Sequence, residues 1–249
     1  MVCPNVAGKK NRNKANNTTM DEFKIIKGFR NARDIDRASI IYDKLSSWKD
    51  CVSFLKEKNL KGLTVKPEEY KNKFSVDFSF LREMSILEYF EWLVPLTKKS
   101  DISELHSLHN LKYLRWLADN SFKIDFSKSP HLETLLTSYY SGMENWDTLT
   151  GLKVLHISKL KNENCEFIRN LKELTDLTLS SSDIISIKGV EECSKLERLD
   201  LIHCIKISSL AEVLGKCPQI ISVSLRKCKN INKDEIKKIE DLGISLWVE

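Results

Sequence analysis

One short pattern, apolar-x-x-apolar-x-apolar, returns along most of the 249-residue sequence and constrains the fold more than any other feature. Successive copies are roughly 22 residues apart, a spacing that is typical of repeat proteins. The last two apolar positions of each copy are separated by one residue, which predicts a short β-strand with one buried face. Clear copies begin at Leu87, Leu111, Leu132, Leu152, Leu174, Leu196 and Ile220.

Weaker copies extend the pattern at both ends. An early copy over residues 60–65 has Leu60, Leu63 and Val65 at the apolar positions, and we expect it to form the first strand. A degenerate copy over residues 243–248 predicts a closing edge strand. In that position Trp247 is expected to shield the end of the core.

The segments between the strands carry apolar residues at every third position, as in Ile184, Ile187 and Val190. This period indicates a helical or 3₁₀ return after each strand. One such unit cannot bury enough apolar surface to offset the entropy lost on ordering it, so neighbouring units must stack. The sequence therefore predicts an α/β solenoid in which the strands of successive units pair as a parallel sheet.

The copies at residues 196–204 and 220–228 follow the spacing L-x-x-L-x-L-x-x-N/C, ending in Cys204 and Cys228. With these motifs, residues 60–249 resemble the leucine-rich repeat family. The 22-residue unit at 174–195 is similar to the repeats of internalins and of the leucine-rich regulatory subunit of protein phosphatase 1, and the last two full repeats look like the cysteine-containing class. The resemblance implies a curved parallel sheet on the concave side, short helices or 3₁₀ turns on the convex side, and protein binding.

The sequence departs from this family at the Asn/Cys position of the middle repeats. A continuous asparagine ladder is therefore not expected there, and the backbone groups at those turns need other partners. The departing residues are Asp119, Tyr140, Leu160 and Ser182.

Three regions are predicted from these boundaries. Residues 1–20 contain a basic cluster with few apolar side chains and are expected to be a disordered tail. Residues 21–58 are expected to form an N-terminal cap, which includes a helix that begins after Ser47 and ends near Asn59. Residues 59–249 form the leucine-rich repeat domain.

The charge distribution argues against binding to nucleic acid. The chain has 40 Lys and Arg against 35 Asp and Glu, and four of these bases lie in residues 1–19, so the remainder is nearly neutral. No apolar run is long enough to cross a membrane or to serve as a secretion signal. Seven cysteines without a C-x-x-C pair favour a reduced compartment, so we expect a cytoplasmic protein, with a nuclear location as the alternative.

No catalytic constellation is evident in the sequence. It has no G-x-S-x-G elbow, H-E-x-x-H motif, phosphate-binding loop or dinucleotide fingerprint. His106 and His109 are three residues apart on a predicted helical return with no third ligand nearby, so a solvated helix explains them. We therefore predict no enzyme activity, no cofactor and no metal site. The alternative is a thiol-dependent enzyme built on His203 and Cys204.

The predicted function is binding of a protein partner, with no small-molecule substrate and no membrane. Strand residues between the buried leucines point onto the concave sheet, and tyrosine and arginine are common in interface hot spots. Two core positions are occupied by Trp92 and Trp116, which we expect to be buried. A dedicated inhibitor or immunity protein and a regulatory or targeting subunit are alternatives that use the same face. The candidate partner-binding residues are Tyr89, Glu91, Tyr113, Arg115, Tyr139, His156, Asp176, Arg198, Asp200 and Arg226.

Overall fold

A computed structural model describes residues 22–28, 34–117 and 122–249. The predicted disordered tail at residues 1–20 and the predicted ladder residue Asp119 lie outside this part of the chain. The β-strands are β1 Phe23–Ile26, β2 Arg37–Ile41, β3 Gly62–Lys66, β4 Tyr89–Trp92, β5 Tyr113–Trp116, β6 Ile124–Asp125, β7 Thr134–Ser138, β8 Met143–Glu144, β9 Val154–Ser158, β10 Asp176–Ser180, β11 Arg198–Ile202, β12 Ser222–Arg226 and β13 Ser245–Val248.

Short α-helices and 3₁₀ helices connect successive strands and lie on the convex side of the sheet. The α-helices are α1 Trp48–Glu57, α2 Ala211–Leu214 and α3 Lys233–Asp241. The 3₁₀ helices are Tyr42–Lys44, Phe78–Met84, Ser103–Ser107, Phe126–Lys128, Trp146–Thr148, Glu166–Ile168 and Val190–Glu192. The period-three apolar spacing between strands therefore reports mainly 3₁₀ geometry.

Eleven strands form one sheet in the order β1-β2-β3-β4-β5-β7-β9-β10-β11-β12-β13, and β6 pairs with β8 separately. Every pair from β2 to β13 in the large sheet is parallel, and only the β1–β2 pair is antiparallel. Apolar residues of successive repeats are in register, as in Leu177 opposite Leu199. This arrangement confirms the predicted solenoid with a long parallel sheet and 3₁₀ returns.

The N-terminal cap contains the predicted helix. The Ser47 side chain accepts a hydrogen bond from the Asp50 amide at 3.1 Å and begins α1, whose buried residues are Cys51, Val52 and Leu55. The expectation that residues 60–65 form the first strand is wrong, because β1 and β2 precede β3 in the sheet. These two strands lack a full copy of the repeat, and β1 reverses direction and ends the parallel ladder.

The core lies between the sheet and the 3₁₀ returns. Trp92 and Trp116 are fully buried, as predicted, and the Trp92 Nε1 donates to the Val94 carbonyl at 2.9 Å. At the ladder position, the Leu160 amide donates to the Ser182 hydroxyl at 3.2 Å. The Ser182 hydroxyl thus pairs with a backbone amide of the preceding repeat, where Leu160 has no polar side chain to do so.

The C-terminal end of the core differs from the prediction. Trp247 lies opposite Ser224 in the β12–β13 register, which places its side chain on the concave side of the sheet. It is 52% exposed and does not shield the core. The reason is the period of two: Leu246 and Val248 take the inward positions, so the residue between them must point outward.

Candidate partner-binding face

The outward side chains of the sheet form three parallel rows across the concave face, because neighbouring strands are in register. The upstream row is Arg37, Gly62, Tyr89, Tyr113, Thr134, Val154, Asp176, Arg198, Ser222 and Ser245. The central row is Ser39, Thr64, Glu91, Arg115, Leu136, His156, Thr178, Asp200, Ser224 and Trp247. The downstream row contains Ser138, Ser158, Ser180, Ile202 and Arg226.

The predicted exposure of Tyr89 and Tyr113 is wrong. Only 2% of Tyr89 and 1% of Tyr113 is exposed. Their rings stack with centroids 4.1 Å apart, and the Arg37 guanidinium lies 4.7 Å from the centre of the Tyr89 ring. Large flat side chains on adjacent strands cover each other at the strand spacing, so these tyrosines support the face without offering contact area.

Glu91 is also buried, with 7% of its surface exposed, which contradicts its predicted role as a contact residue. Its Oε2 accepts hydrogen bonds from the Thr64 hydroxyl at 2.9 Å and the Tyr89 hydroxyl at 3.3 Å. Its Oε1 accepts from the Arg115 guanidinium at 2.8 Å. The carboxylate is therefore satisfied internally, and Arg115 is held in place by it.

The two ends of the face differ in exposure. All four residues of β4 are buried, and so are four of the five residues of β3, so both sides of the sheet are covered there. In β9, β10, β11 and β12, buried residues alternate with half-buried or exposed ones. We call β3 and β4 the closed part of the face and β9 to β12 the open part.

Asp176 and Arg198 form the most strongly paired charges of the open part. The Arg198 guanidinium binds the Asp176 carboxylate through two nitrogens, with Nη2 at 2.8 Å from Oδ2. The Thr175 hydroxyl donates to the same oxygen at 2.7 Å. Burial opposes ionisation of Asp176, but the hydrogen bonds from Arg198 and Thr175 outweigh it and lower its pKa. Arg198 keeps an exposed side, which leaves it available to a partner.

Three further predicted residues lie at separate points of the face. His156 and Asp200 are half-buried in the central row, and the Asp200 carboxylate accepts from the Thr178 hydroxyl at 3.4 Å. Arg226 lies in the downstream row, with its guanidinium 6.0 Å from the centre of the Trp247 ring.

Tyr139 follows β7 and packs against the core. Of the three candidate tyrosines, Tyr89 and Tyr113 stack on each other, and Tyr139 lies at the end of a later strand.

Two features of this face were not predicted from the sequence. Arg37 comes from β2, where no full repeat marks a strand, so nothing in the pattern placed it over Tyr89. Trp247 could have been assigned to the face by its position between two inward residues, which matches that of Asp200 and Ser224.

A ladder of alternating charges runs along the rim, just before each strand. Glu88 accepts from the ammonium groups of Lys61 at 2.6 Å and Lys112 at 2.7 Å, and Lys153 donates to Glu133 at 2.9 Å. A groove of about 740 Å³ lies along this ladder. Because each carboxylate already has a lysine partner, the ladder holds successive repeats together.

The cysteine of the enzyme alternative is a core residue. Cys204 is fully buried, and its Sγ lies 3.5 Å from the Leu179 carbonyl oxygen. A hydrogen bond with the Cys228 side chain, together with burial, raises the pKa of Cys204.

Within residues 22–28, 34–117 and 122–249, no group of three or more His, Cys, Asp or Glu side chains is placed to hold a metal ion. In the same part of the chain, no helix has the length and apolar character needed to cross a membrane.

No protein-family model and no curated protein sequence matches this chain. Among solved structures, internalin C2 from Listeria monocytogenes is similar over 82% of this chain and 83% of its own, with a TM-score of 0.50 and 15% identity. An internalin, InlF, from the same organism is similar over 88% of this chain and 83% of its own, with a TM-score of 0.42 and 17% identity. Together with the register of the parallel sheet, the similarity to internalin C2 shows that this chain has the leucine-rich repeat fold.

Proposed function

We propose that this chain is a non-catalytic protein-binding module whose partner docks on the open part of the concave face. One observation carries the proposal: from β9 to β12 every outward residue is at least partly exposed, whereas β4 is buried throughout. A partner can therefore reach the rows of side chains on the later strands.

The charges of the open part suit a protein surface of mixed charge. Asp176 and Asp200 lie beside Arg198 and Arg226, so both signs alternate over neighbouring strands. A nucleic-acid site would need a continuous basic stripe, which these carboxylates interrupt. Complementary charges of this kind give specificity and orientation to a protein interface.

The finer alternatives share this face. A dedicated inhibitor or immunity protein would cover the active site of one enzyme, and a regulatory or targeting subunit would hold one member of a larger complex. Thiol-dependent catalysis is disfavoured by the full burial of Cys204. A reduced compartment, cytoplasmic or nuclear, fits the six cysteines of the described residues, all of which are free thiols.

A charge-swapped pair tests the proposed face without changing net charge. Asp176→Arg with Arg198→Glu keeps an ion pair but inverts its direction on the face. The matched control swaps Glu173 and Lys195, an exposed pair at 2.7 Å from the same two repeats, in the turns before the strands.

Each variant is used to capture partners from native lysate, with bound proteins identified by mass spectrometry. We expect one stoichiometric protein with the wild type and the control, and at least a tenfold loss with the Asp176 and Arg198 swap at an unchanged melting temperature. Equal capture by both swaps would place the binding site elsewhere. The identity of the captured protein then separates an inhibited enzyme from a larger complex.

A further inference from the structure

The strand β13 forms one edge of the eleven-stranded sheet. Within the described residues β13 pairs only with β12. The Ser245 amide donates to the Ile221 carbonyl at 3.0 Å and the Glu249 amide to the Leu225 carbonyl at 2.9 Å. Because backbone groups alternate in direction along a strand, those of Leu246 and Val248 point away from β12. This edge therefore presents two amides and two carbonyls for a further strand.

The side chains around this edge are apolar and exposed. Trp247 lies on the concave side, and Val248, which is 50% exposed, lies on the core side of the same strand. Open strand edges that carry exposed apolar side chains are sites of association between chains.

We propose that the occupant of this edge is a second copy of the chain, with β13 pairing antiparallel to β13 of the other copy across a twofold axis at Trp247. In this register Leu246 of each copy lies opposite Val248 of the other. Both residues direct their backbone groups outward, so the two strands exchange four hydrogen bonds. The pairing is isologous and closes as a dimer.

Side-chain chemistry selects this register and this occupant. Trp247 faces its own copy in a non-hydrogen-bonded pair, where side chains approach most closely, and each indole covers the exposed surface of the other. No charged residue faces its own copy, because Glu249 lies opposite Ser245. Shifting the axis to Leu246 would oppose Trp247 to Ser245 and would need Ile244, which lies outside β13 beside the left-handed Gly243.

The small size of the contact predicts a concentration-dependent dimer. Trp247 and Val248 are the main apolar contributors, which is less than the side of a standard interface supplies. We expect a dissociation constant on the order of 10 to 100 µM. This dimer is independent of the proposed partner site, since the Asp176 and Arg198 pair lies on β10 and β11.

Sedimentation velocity tests the dimer. The wild-type chain should shift from its 28.8 kDa monomer toward twice that mass between about 1 and 300 µM. Val248→Pro removes an outward amide and costs no bond to β12, so it should raise the dissociation constant at least tenfold with an unchanged melting temperature. A wild-type monomer over the whole range, or an equal dimer with Val248→Pro, would overturn the proposal.

Cysteine crosslinking tests the register. At 200 µM under mild oxidation, a mixture of Ser245→Cys and Glu249→Cys should form a disulfide-linked dimer several times faster than either variant alone, because residue 245 faces residue 249 of the other copy within disulfide distance and both variants keep Trp247. The wild-type chain, with its seven native cysteines, sets the background. Equal rates for the mixture and for the single variants, or a mixture at the background rate, would contradict a pairing centred on Trp247.

Discussion

The Tyr113 ring lies flat on the Tyr89 ring, with the centroids 4.1 Å apart and the planes 6° apart. Both side chains point to the concave side of the sheet, yet both are buried. They belong to the upstream row, where Arg37 covers the other side of Tyr89. The early strands of this solenoid are thus stabilised from both faces, and the later strands from one.

Tyr113→Ala should therefore reduce the stability of the protein. Removing a buried aromatic ring from a packed site costs about 3 kcal/mol, and here it also removes the stacking on Tyr89. Urea unfolding monitored by circular dichroism measures the change. Tyr70, which is exposed, offers the matched control, and Tyr70→Ala should change the free energy of unfolding by less than about 0.5 kcal/mol. Equal effects of the two substitutions would contradict the burial of Tyr113.

Glu91→Ala should be costly for a different reason. The substitution leaves the Tyr89 and Thr64 hydroxyls without an acceptor in a buried site and frees the Arg115 guanidinium. We expect a loss of about 3 kcal/mol in the free energy of unfolding.

Glu133→Ala is the control for Glu91→Ala, because Glu133 makes one ion pair with Lys153 at the exposed rim. Such a pair contributes about 0.5 kcal/mol. Urea unfolding of both variants at pH 7 compares them. Losses of equal size would show that the Glu91 network adds no more than a surface pair.

The inward side of the sheet could be predicted residue by residue from the sequence. Trp92 and Trp116 occupy leucine positions of the repeat, and the period of two then requires them to be buried. The repeat also defined most strands, because each copy must stack on the next to bury its apolar face. The strand β2 escaped prediction, since Ala38 and Ile40 are its only fully buried apolar residues and no leucine precedes them at the repeat spacing.

The outward side could be predicted only in part. A repeat pattern fixes the side of the sheet to which a residue points, but not what lies on top of it. Tyr89 and Glu91 point outward as expected, and contacts with residues from other strands bury them. The exposed residues of the open part, such as Arg198, have only small or polar neighbours in their row. The size of its neighbours in the same row therefore decides whether an outward residue is exposed. Identifying those neighbours requires the register between strands.

Glu235 should make the stability of the C-terminal repeats depend on pH. Its Oε1 accepts hydrogen bonds from the amides of Leu210 at 2.6 Å and Ala211 at 2.7 Å, at the beginning of α2. Burial opposes ionisation, but the Ala211 and Leu210 amides, with the Ser209 hydroxyl, outweigh it and lower the pKa of Glu235. A carboxyl with a lowered pKa stabilises the folded state above its unfolded pKa, and this contribution is lost as the pH falls through the folded pKa.

Glu235→Gln should accordingly lower the free energy of unfolding by about 1 to 2 kcal/mol at pH 7, and the difference from wild type should shrink below about pH 4. Urea unfolding at pH 7, 5, 4 and 3 measures both curves. Glu240→Gln, at an exposed position of the same helix, should match wild type throughout. A difference that stays constant with pH would show that ionised Glu235 does not hold α2.

The cysteines should differ in reactivity in the folded protein. Cys204 is fully buried, whereas Cys228, a core residue that is 9% exposed, lines a cavity of about 220 Å³ at the C-terminal end of the solenoid. The hydrogen bond from the Cys204 side chain also lowers the pKa of Cys228. With a thiol reagent at neutral pH, we expect Cys228 to be labelled before Cys204, with peptide mapping by mass spectrometry to separate them. Rapid labelling of Cys204 in the folded state would favour the thiol-enzyme alternative.

Ser181→Gly should stabilise the protein. Ser181 follows β10 with a φ of +48°, in the left-handed region, and its amide donates to the Ile202 carbonyl at 2.8 Å. Lys159, His203 and Lys227 adopt the same conformation after their own strands, so the solenoid repeats a strained turn at this position. A residue with a side chain pays roughly 1 to 2 kcal/mol for this conformation, and the extra unfolded-state entropy of glycine, about 0.5 to 1 kcal/mol, offsets only part of that relief. Ser181→Gly should therefore raise the free energy of unfolding by about 0.5 to 1 kcal/mol, measured by urea unfolding.

The neighbouring Ser180→Gly separates this effect from a general response to glycine. Ser180 is the last residue of β10 and has an ordinary extended conformation, so glycine there adds only unfolded-state entropy. We expect Ser180→Gly to lower the free energy of unfolding by about 0.5 to 1 kcal/mol, the opposite sign to Ser181→Gly. If both variants were destabilised to the same extent, glycine at position 181 would relieve no backbone strain, and the left-handed conformation of Ser181 would not be costly.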